Sequence, residues 1–204
     1  MFKKLASDAL GLSDIGKIIN KEDFDKTQSD DFVLTEDGEE IHFLIKSKSD
    51  EYCFTNRALV HIDGDKASSS KRNIYRYDYY KHPIGDVSVE TAGTIDLDLE
   101  INFNLGNKSM NIDIAKDEGE AIADLYKSLV AISQIQEENL QHSEYAKDSI
   151  GTARELIREN RFHDNDISQE FDEVVNFAYD WFAKKHREHV RKDFQDIFEK
   201  YIHN

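Results

Sequence analysis

Apolar and polar residues alternate without a break from Ile95 through Asp96, Leu97, Asp98, Leu99, Glu100, Ile101, Asn102 and Phe103 to Asn104. A period of two sends every apolar side chain to one face of a sheet, so this run predicts a β-strand with one dry face and one acid-lined face. The same period recurs earlier in the chain. Ile41, Phe43 and Ile45 form one run, Tyr52 and Phe54 a second, Ala58, Val60 and Ile62 a third, Tyr75, Tyr77 and Tyr79 a fourth, and Val87 and Val89 a fifth. Met110, Ile112 and Ile114 close the series after the long strand, which makes seven predicted antiparallel strands. Asn56-Arg57 and His82-Pro83-Ile84-Gly85 supply turns between them.

On either side of this block the period changes to that of a helix. Phe2, Leu5, Ala9, Leu12, Ile15 and Ile19 follow each other at steps of three and four, which predicts an amphipathic helix over residues 1–20, interrupted by Gly11 and Gly16. The acidic stretch that follows, with Asp30, Asp31, Glu36, Asp37, Glu39 and Glu40, reads as solvated linker. After the strands, Asp117 and Glu120 approximate a capping box ahead of Ile122, Leu125, Leu129 and Ile132. That helix carries one apolar stripe, and an open end of a β-sandwich is buried by such a stripe.

Beyond residue 140 the helical period dominates. Ala146, Ile150, Ala153 and Ile157 make one stripe; a polar turn follows over residues 160–166; Phe171, Val174, Ala178, Trp181, Val190, Phe194, Ile197 and Tyr201 then mark a second helix. These two helices form a hairpin with arms of about 27 Å and about 52 Å, at about 1.5 Å per residue. The longer arm overhangs. Phe194, Ile197, Phe198 and Tyr201 on the overhang, with Trp181 and Val190, are therefore the expected contact surface for another subunit. The fold class is α+β: an amino-terminal amphipathic helix and linker (1–28), a seven-stranded antiparallel barrel or sandwich capped by a helix (29–140), and a helical hairpin (141–204). The pattern leaves open whether the capping helix runs on into the hairpin.

Composition narrows the function classes. Across 204 residues, 42 acidic side chains against 26 basic ones give a net charge of −16, which repels nucleic acid and anionic membranes as a whole. The single cysteine, Cys53, excludes an internal disulfide. Met1-Phe2-Lys3-Lys4 imitates the start of a signal peptide, but Asp8 and Asp14 interrupt the apolar stretch, and no run of about 18 apolar residues exists to span a bilayer. A cytoplasmic protein is expected.

The residues Phe54-Thr55-Asn56-Arg57, Ile62-Asp63 and above all Val89-Glu90-Thr91-Ala92-Gly93-Thr94-Ile95-Asp96-Leu97-Asp98-Leu99-Glu100 resemble the bacterial pleckstrin-homology (PH) domain family, in particular the subgroup with a YvbH-like carboxy-terminal oligomerisation region. The resemblance covers residues 29–140, and the hairpin extends it. It implies a seven-stranded, partly open barrel capped by a helix, a tendency to form cyclic homo-oligomers, and no enzymatic activity. The loop Gly64-Asp65-Lys66-Ala67-Ser68-Ser69-Ser70-Lys71-Arg72 departs from the family pattern in being longer and richer in serine.

Several residues invite a chemical role. Phosphoinositide-binding PH domains hold their ligand with cations around the first strand-to-strand loop, where this chain offers Lys46 and Lys48, with Lys71, Arg72 and Arg76 to add from the fourth strand. Asp50 and Glu51 lie beside them, and an ordinary solvated surface is the simpler expectation. Asp96, Asp98 and Glu100 suggest calcium, yet alternate strand residues stand about 6.6–7 Å apart, and Ile101 and Asn107 occupy the places of the Gly and Glu of an EF-hand loop. His186 and His189 share a helix face but are surrounded by Lys184, Lys185, Arg187, Arg191 and Lys192, which oppose a metal ion. Cys53 alternates with Tyr52 and Phe54 inside a strand, where a thiol packs as a small hydrophobe. The expectation is a non-enzymatic interaction module without metal or cofactor. It assembles with copies of itself into a ring and leaves room for an unidentified protein partner, but does not bind nucleic acid. The alternative is a peripheral membrane protein that reaches anionic lipid through the amino-terminal helix and the Lys46/Lys48/Lys71/Arg72 region.

Overall fold

The structure, a computed structural model, describes residues 13–64, 72–91, 98–159 and 167–203. Among the described residues eight strands form two sheets. The first sheet has the order β1 (Lys17–Ile18), β2 (Ile41–Lys46), β3 (Glu51–Thr55), β4 (Ala58–Asp63), β5 (Asn73–Asp78); the second is β6 (Ile84–Glu90), β7 (Asp98–Leu105), β8 (Lys108–Ala115). Each neighbouring pair is antiparallel. Long-period alternation survives best in β7, where Leu99, Ile101, Phe103 and Leu105 are buried while the residues between them are half-exposed. The part of the predicted strand over residues 95–97 and its lead-in from Ala92 lie outside the described residues.

The amino-terminal helix is not what residues 13–20 form. Gly16 donates its N–H to Asp113 O at 2.8 Å and accepts from Ala115 N at 3.0 Å, while Lys17 and Ile18 pair with Lys46 and Ile45. This short extended segment therefore stitches β2 of one sheet to β8 of the other. The approach is too close for a side chain: a Cβ on Gly16 would lie 2.6 Å from Ile45 Cγ2 and 2.9 Å from Asp113 O. The glycine read as a helix interruption is a contact requirement of the barrel. Ile19, in turn, is buried with Phe24, Val33, Leu44, Cys53 and Val60. Residues 21–32 run as short 3-10 turns, Lys21–Lys26 and Ser29–Phe32, over that outer face of the first sheet.

Two compact units divide the chain, one made of residues 1–134 with 192–204 and the other of residues 135–191. In the first unit, a 3-10 turn at Lys116–Glu118 leads into α1 (Gly119–Glu159), whose early turns bury Ile122, Leu125, Leu129 and Ile132. Ser133 Oγ donates to Ile84 O at 2.7 Å, so this stretch lies across the mouth of the second sheet as the stripe predicts. The helix continues without interruption to Glu159. In the second unit, α1 is joined by α2 (Ile167–His189), and His142 stacks on His189 with ring centroids 4.9 Å apart.

The long arm of the hairpin is not one helix. It stops at His189, residues 190–194 are non-helical, and α3 (Gln195–Tyr201) returns to the first unit. Phe194 and Phe198, expected at a subunit contact, are instead 0% exposed within the chain's own β-domain. Tyr79 meets Phe194 edge-on at 6.0 Å, and His42 stacks on Phe198 at 5.2 Å. The periodicity was helical on both sides of the break, but a pocket on the barrel wall buries two phenylalanines more completely than a free overhang can.

Candidate functional site

The turn Thr55-Asn56-Arg57 between β3 and β4 is where the chain's distant parts meet. Thr55 Oγ1 has both the carboxylate of Glu39 and Ala58 O, the latter at 3.0 Å, as acceptors for its single proton, and accepts from Ala58 N at 2.9 Å. Asn56 Oδ1 accepts from Glu40 N at 2.9 Å, and Asn56 Nδ2 donates to Asp193 Oδ2 at 2.9 Å. Its backbone oxygen takes the N–H of Phe194 at 2.8 Å. Arg57 reaches the same Asp193 carboxylate through Nε at 3.4 Å, and its own carbonyl accepts from Tyr79 N at 3.0 Å. The side chains of Thr55, Asn56 and Arg57 thus tie the turn to the 38–40 segment and to the start of α3.

Beneath the turn sits an ion pair. Glu39 is buried, accepts from Leu34 N at 2.9 Å and pairs with Arg76 Nη1 at 3.0 Å, while Arg76 Nε binds Asp78 at 2.7 Å. The linker expected to be solvated therefore contributes one of the most enclosed charges among the described residues. Arg76 is likewise no ligand-binding cation, since its Nε and Nη1 donors are engaged by two carboxylates. Burial alone would raise the Asp78 carboxyl, but hydrogen bonds from Lys81 and Arg76 outweigh it and hold the group below its ordinary 3.8.

Of the four cations expected to greet an anionic headgroup, the three among the described residues have different surroundings. Lys46 is a correction: it is buried and ion-paired with Glu51, which also accepts the N–H groups of Gln28 and Ser29 at 3.3 and 2.9 Å. The pair anchors the 3-10 segment over the sheet. Lys48 is exposed, its backbone N–H donating to Ser13 O at 2.9 Å. Arg72 is half-buried, its guanidinium close against Gly64 and its charge felt by Asp50. Lys71 lies outside the described residues. Desolvation would raise Asp50, yet hydrogen bonds from His61 and Ser49, with the charges of His61 and Arg72, hold it below 3.8.

The acid-lined face of β7 opens on a shallow groove of about 350 Å3 lined by Asp86, Glu90, Glu100, Asn102, Asn104 and Asn111 among others, with no lysine or arginine in its lining. Burial raises the neighbouring Asp113 carboxyl, and the like charges of Glu100 and Asp98 add to it. This face repels anions. Cys53 is fully buried, and desolvation pushes its thiol well above the ordinary 9.0, away from the reactive thiolate. His189 is engaged by its stack on His142, and His186 is exposed.

Of the residues expected at a subunit contact, Phe194 and Phe198 are internal, whereas Trp181, Val190, Ile197 and Tyr201 are half-buried. Among the described residues of the second unit, other large apolar side chains are the more exposed: Tyr179 at 73% and Phe177 at 70%, followed by Tyr145 and Leu140. Neither Tyr179 nor Phe177 falls on the Phe171/Val174/Ala178/Trp181 stripe, which is why periodicity passed over them. The Glu39–Arg76 pair escaped as well, because an isolated Glu in an acidic run carries no sign of burial. Asn56 and Arg57 were legible as a turn but not as the anchor for residues 193 and 194, some 137 positions away.

Two antiparallel sheets stitched at one side and plugged by a helix make a PH-like module, continued by a helical unit. A bacterial PH-domain model matches residues 9–133 and a YvbH-like oligomerisation-region model matches residues 144–204, so the chain belongs to the bacterial PH-domain family and carries that oligomerisation region. Uncharacterized protein YvbH of Bacillus subtilis (strain 168) is 48% identical over 204 residues, all of both chains. Protein YozO of the same organism is 29% identical over 85 residues, 42% of this chain and 72% of that one. A PH-domain-containing bacterial protein from Exiguobacterium sibiricum 255-15, solved as a crystal structure, is 45% identical with a TM-score of 0.84 over 92% of this chain and 99% of that one. No helix among the described residues is long and apolar enough to cross a membrane.

Proposed function

We propose that this chain is a non-enzymatic, cytoplasmic interaction module that joins copies of itself into a closed, cyclic homo-oligomer. The observation that carries the reading is the match of residues 144–204 to an oligomerisation region, on a helical unit whose α2 leaves Phe177 and Tyr179 largely exposed. Large aromatics in water favour association, since each loses apolar surface when a partner covers it. The β-domain supplies a rigid body: its charged groups at the Thr55-Asn56-Arg57 turn and at Lys46–Glu51 are spent on internal pairing. Closure of the assembly follows from the ordinary preference of homo-oligomers for point-group symmetry. Multi-angle light scattering of the full chain tests the reading. A mass at a multiple of the 23.7 kDa protomer is expected, and a monomer at every concentration up to the solubility limit overturns it.

A further inference from the structure

We propose that the wall of the β-domain formed by His42, Asn56, Arg57 and Tyr79 is a docking site for a short helical segment of a partner protein, one with an acidic residue followed by aromatic rings one and five places later. α3 holds the site as a tethered competitor. The inference does not rest on the self-association proposed above and concerns a different surface.

The contacts to residues 193–198 are those of a peptide-recognition site. Asn56 Nδ2 and Arg57 Nε meet the Asp193 carboxylate at 2.9 and 3.4 Å, and Asn56 O takes the N–H of Phe194 at 2.8 Å. The other oxygen of that carboxylate accepts from Gln195 N at 3.0 Å, an Asx turn that leads into the helix. Phe194 and Phe198 are both fully buried. Tyr79 meets the first ring edge-on, and the His42 ring lies 5.2 Å from the second at an angle of 9°. One carboxylate, one main-chain N–H and two rings thus define the occupant. The spacing requires a helix: residues four apart stand about 5–6 Å from each other on a helical face, but about 13 Å apart in an extended strand. The Arg57 charge selects an acidic residue at the first position.

The tail is an imperfect occupant. His42, stacked on Phe198, buries its Nε2 without a hydrogen-bond partner, so docking desolvates a polar group and returns no bond to it. Asp193 keeps 43% of its side-chain surface exposed, and its contact to Arg57 is the longer of the two. α3 has seven residues, too few to hold a helix in water, and it follows the non-helical stretch 190–194. The stripe that plugs the barrel, Ile122 to Ile132, belongs to a separate element. Release of the tail therefore frees a short segment only. Tethering gives that tail a high effective concentration, so a free segment of the same pattern binds the parent weakly and binds a vacated site well.

Fluorescence anisotropy on the full-length chain tests this with two labelled peptides. One is residues 190–204 of this sequence; the other keeps only Asp193, Phe194 and Phe198 in an alanine- and lysine-rich helix. Both are expected to bind Phe194→Ala/Phe198→Ala about tenfold or more tightly than the parent, and added peptide is expected to raise the urea midpoint of that variant. Arg57→Ala in the same background, or Asp193→Ala within either peptide, is expected to weaken binding about tenfold. Asp193→Ala in the full chain loosens the tail without hollowing the pocket and is expected to bind with intermediate affinity, which keeps the test open where the double variant loses its fold. In the parent, saturating minimal peptide is expected to speed hydrogen exchange over residues 195–201. No binding of either peptide to variants that circular dichroism shows to be folded overturns the site. Binding of the 190–204 peptide without the minimal one overturns the recognition pattern. A fall in assembly mass of the double variant, read by light scattering, assigns the pocket to the tail of a second copy and overturns the partner protein.

Discussion

Single residues in this protein carry loads that their neighbours in sequence do not suggest. Glu39 sits between Asp37 and Glu40 in an acidic run, yet it is the buried acceptor for Thr55, Leu34 and Arg76. A carboxylate in that position depends on its cation, because removing one partner strands an uncompensated buried charge. Arg76→Met is therefore expected to lower stability by about 3–5 kcal/mol in urea denaturation, whereas Lys48→Met, at an exposed site, is expected to stay within about 0.5 kcal/mol of the parent. Equal effects of the two substitutions would refute the assigned role of Arg76. Lys46 belongs with Arg76 in this respect: its charge anchors the Gln28–Ser29 backbone through Glu51.

At the scale of elements, α3 shows how a short helix is held. Seven residues cannot be stable alone in water, so its order comes from packing Phe194 and Phe198 against Tyr79 and His42 and from the Asp193 contacts to Asn56 and Arg57. His42 makes this docking pH-sensitive. Burial lowers its pKa from the ordinary 6.5, a shift that Lys21 reinforces and that the charges of Glu40, Glu199 and Asp193 only partly offset. The unfolded chain accordingly binds the proton more readily than the folded one. The stabilisation is fully present above about 6.5, declines as pH falls through that value, and is lost completely below the depressed folded pKa. Asp50 and Asp78, both held below 3.8, contribute stability that is lost only at more acidic pH, so the two windows are separate. Hydrogen exchange in α3 is expected to accelerate between pH 7.5 and 5.5 beyond the intrinsic trend, and His42→Phe is expected to remove the excess. No difference between parent and variant would discard the His42 account.

For the molecule as a whole, the division of labour does not follow the order of the chain. Residues 192–204 belong to the β-domain although they come last, and residues 135–191, which precede them in sequence, form a unit of their own. Ending the chain at residue 191 is thus expected to cost the β-domain about 3–6 kcal/mol, the burial of two phenylalanines at about 1.5–3 kcal/mol each, read as an earlier urea midpoint. The α2 surface remains in that shortened chain. Its association is expected to survive under conditions where the β-domain stays folded, and loss of association with unchanged stability would contradict this assignment of roles.

Alternation by itself determined most of the barrel, because a strand with one wet face writes its period directly into residues such as Leu99, Ile101 and Phe103. The stripe Ile122, Leu125, Leu129 and Ile132 likewise announced the plugging helix, and the phrase around Glu90 to Glu100 announced the family. Tertiary structure alone decided three matters. It turned residues 16–18 from a helical period into a stitch between sheets, because the backbone of Gly16 can approach Ile45 and Asp113 only without a side chain. It broke the last helix before Phe194, because burial against Tyr79 and His42 outweighs continuing a helix into water. It also chose which charges face solvent, taking Glu39 and Lys46 inside. Local patterns record which face of an element is dry; which distant surface covers that face is settled only when the whole chain competes for burial.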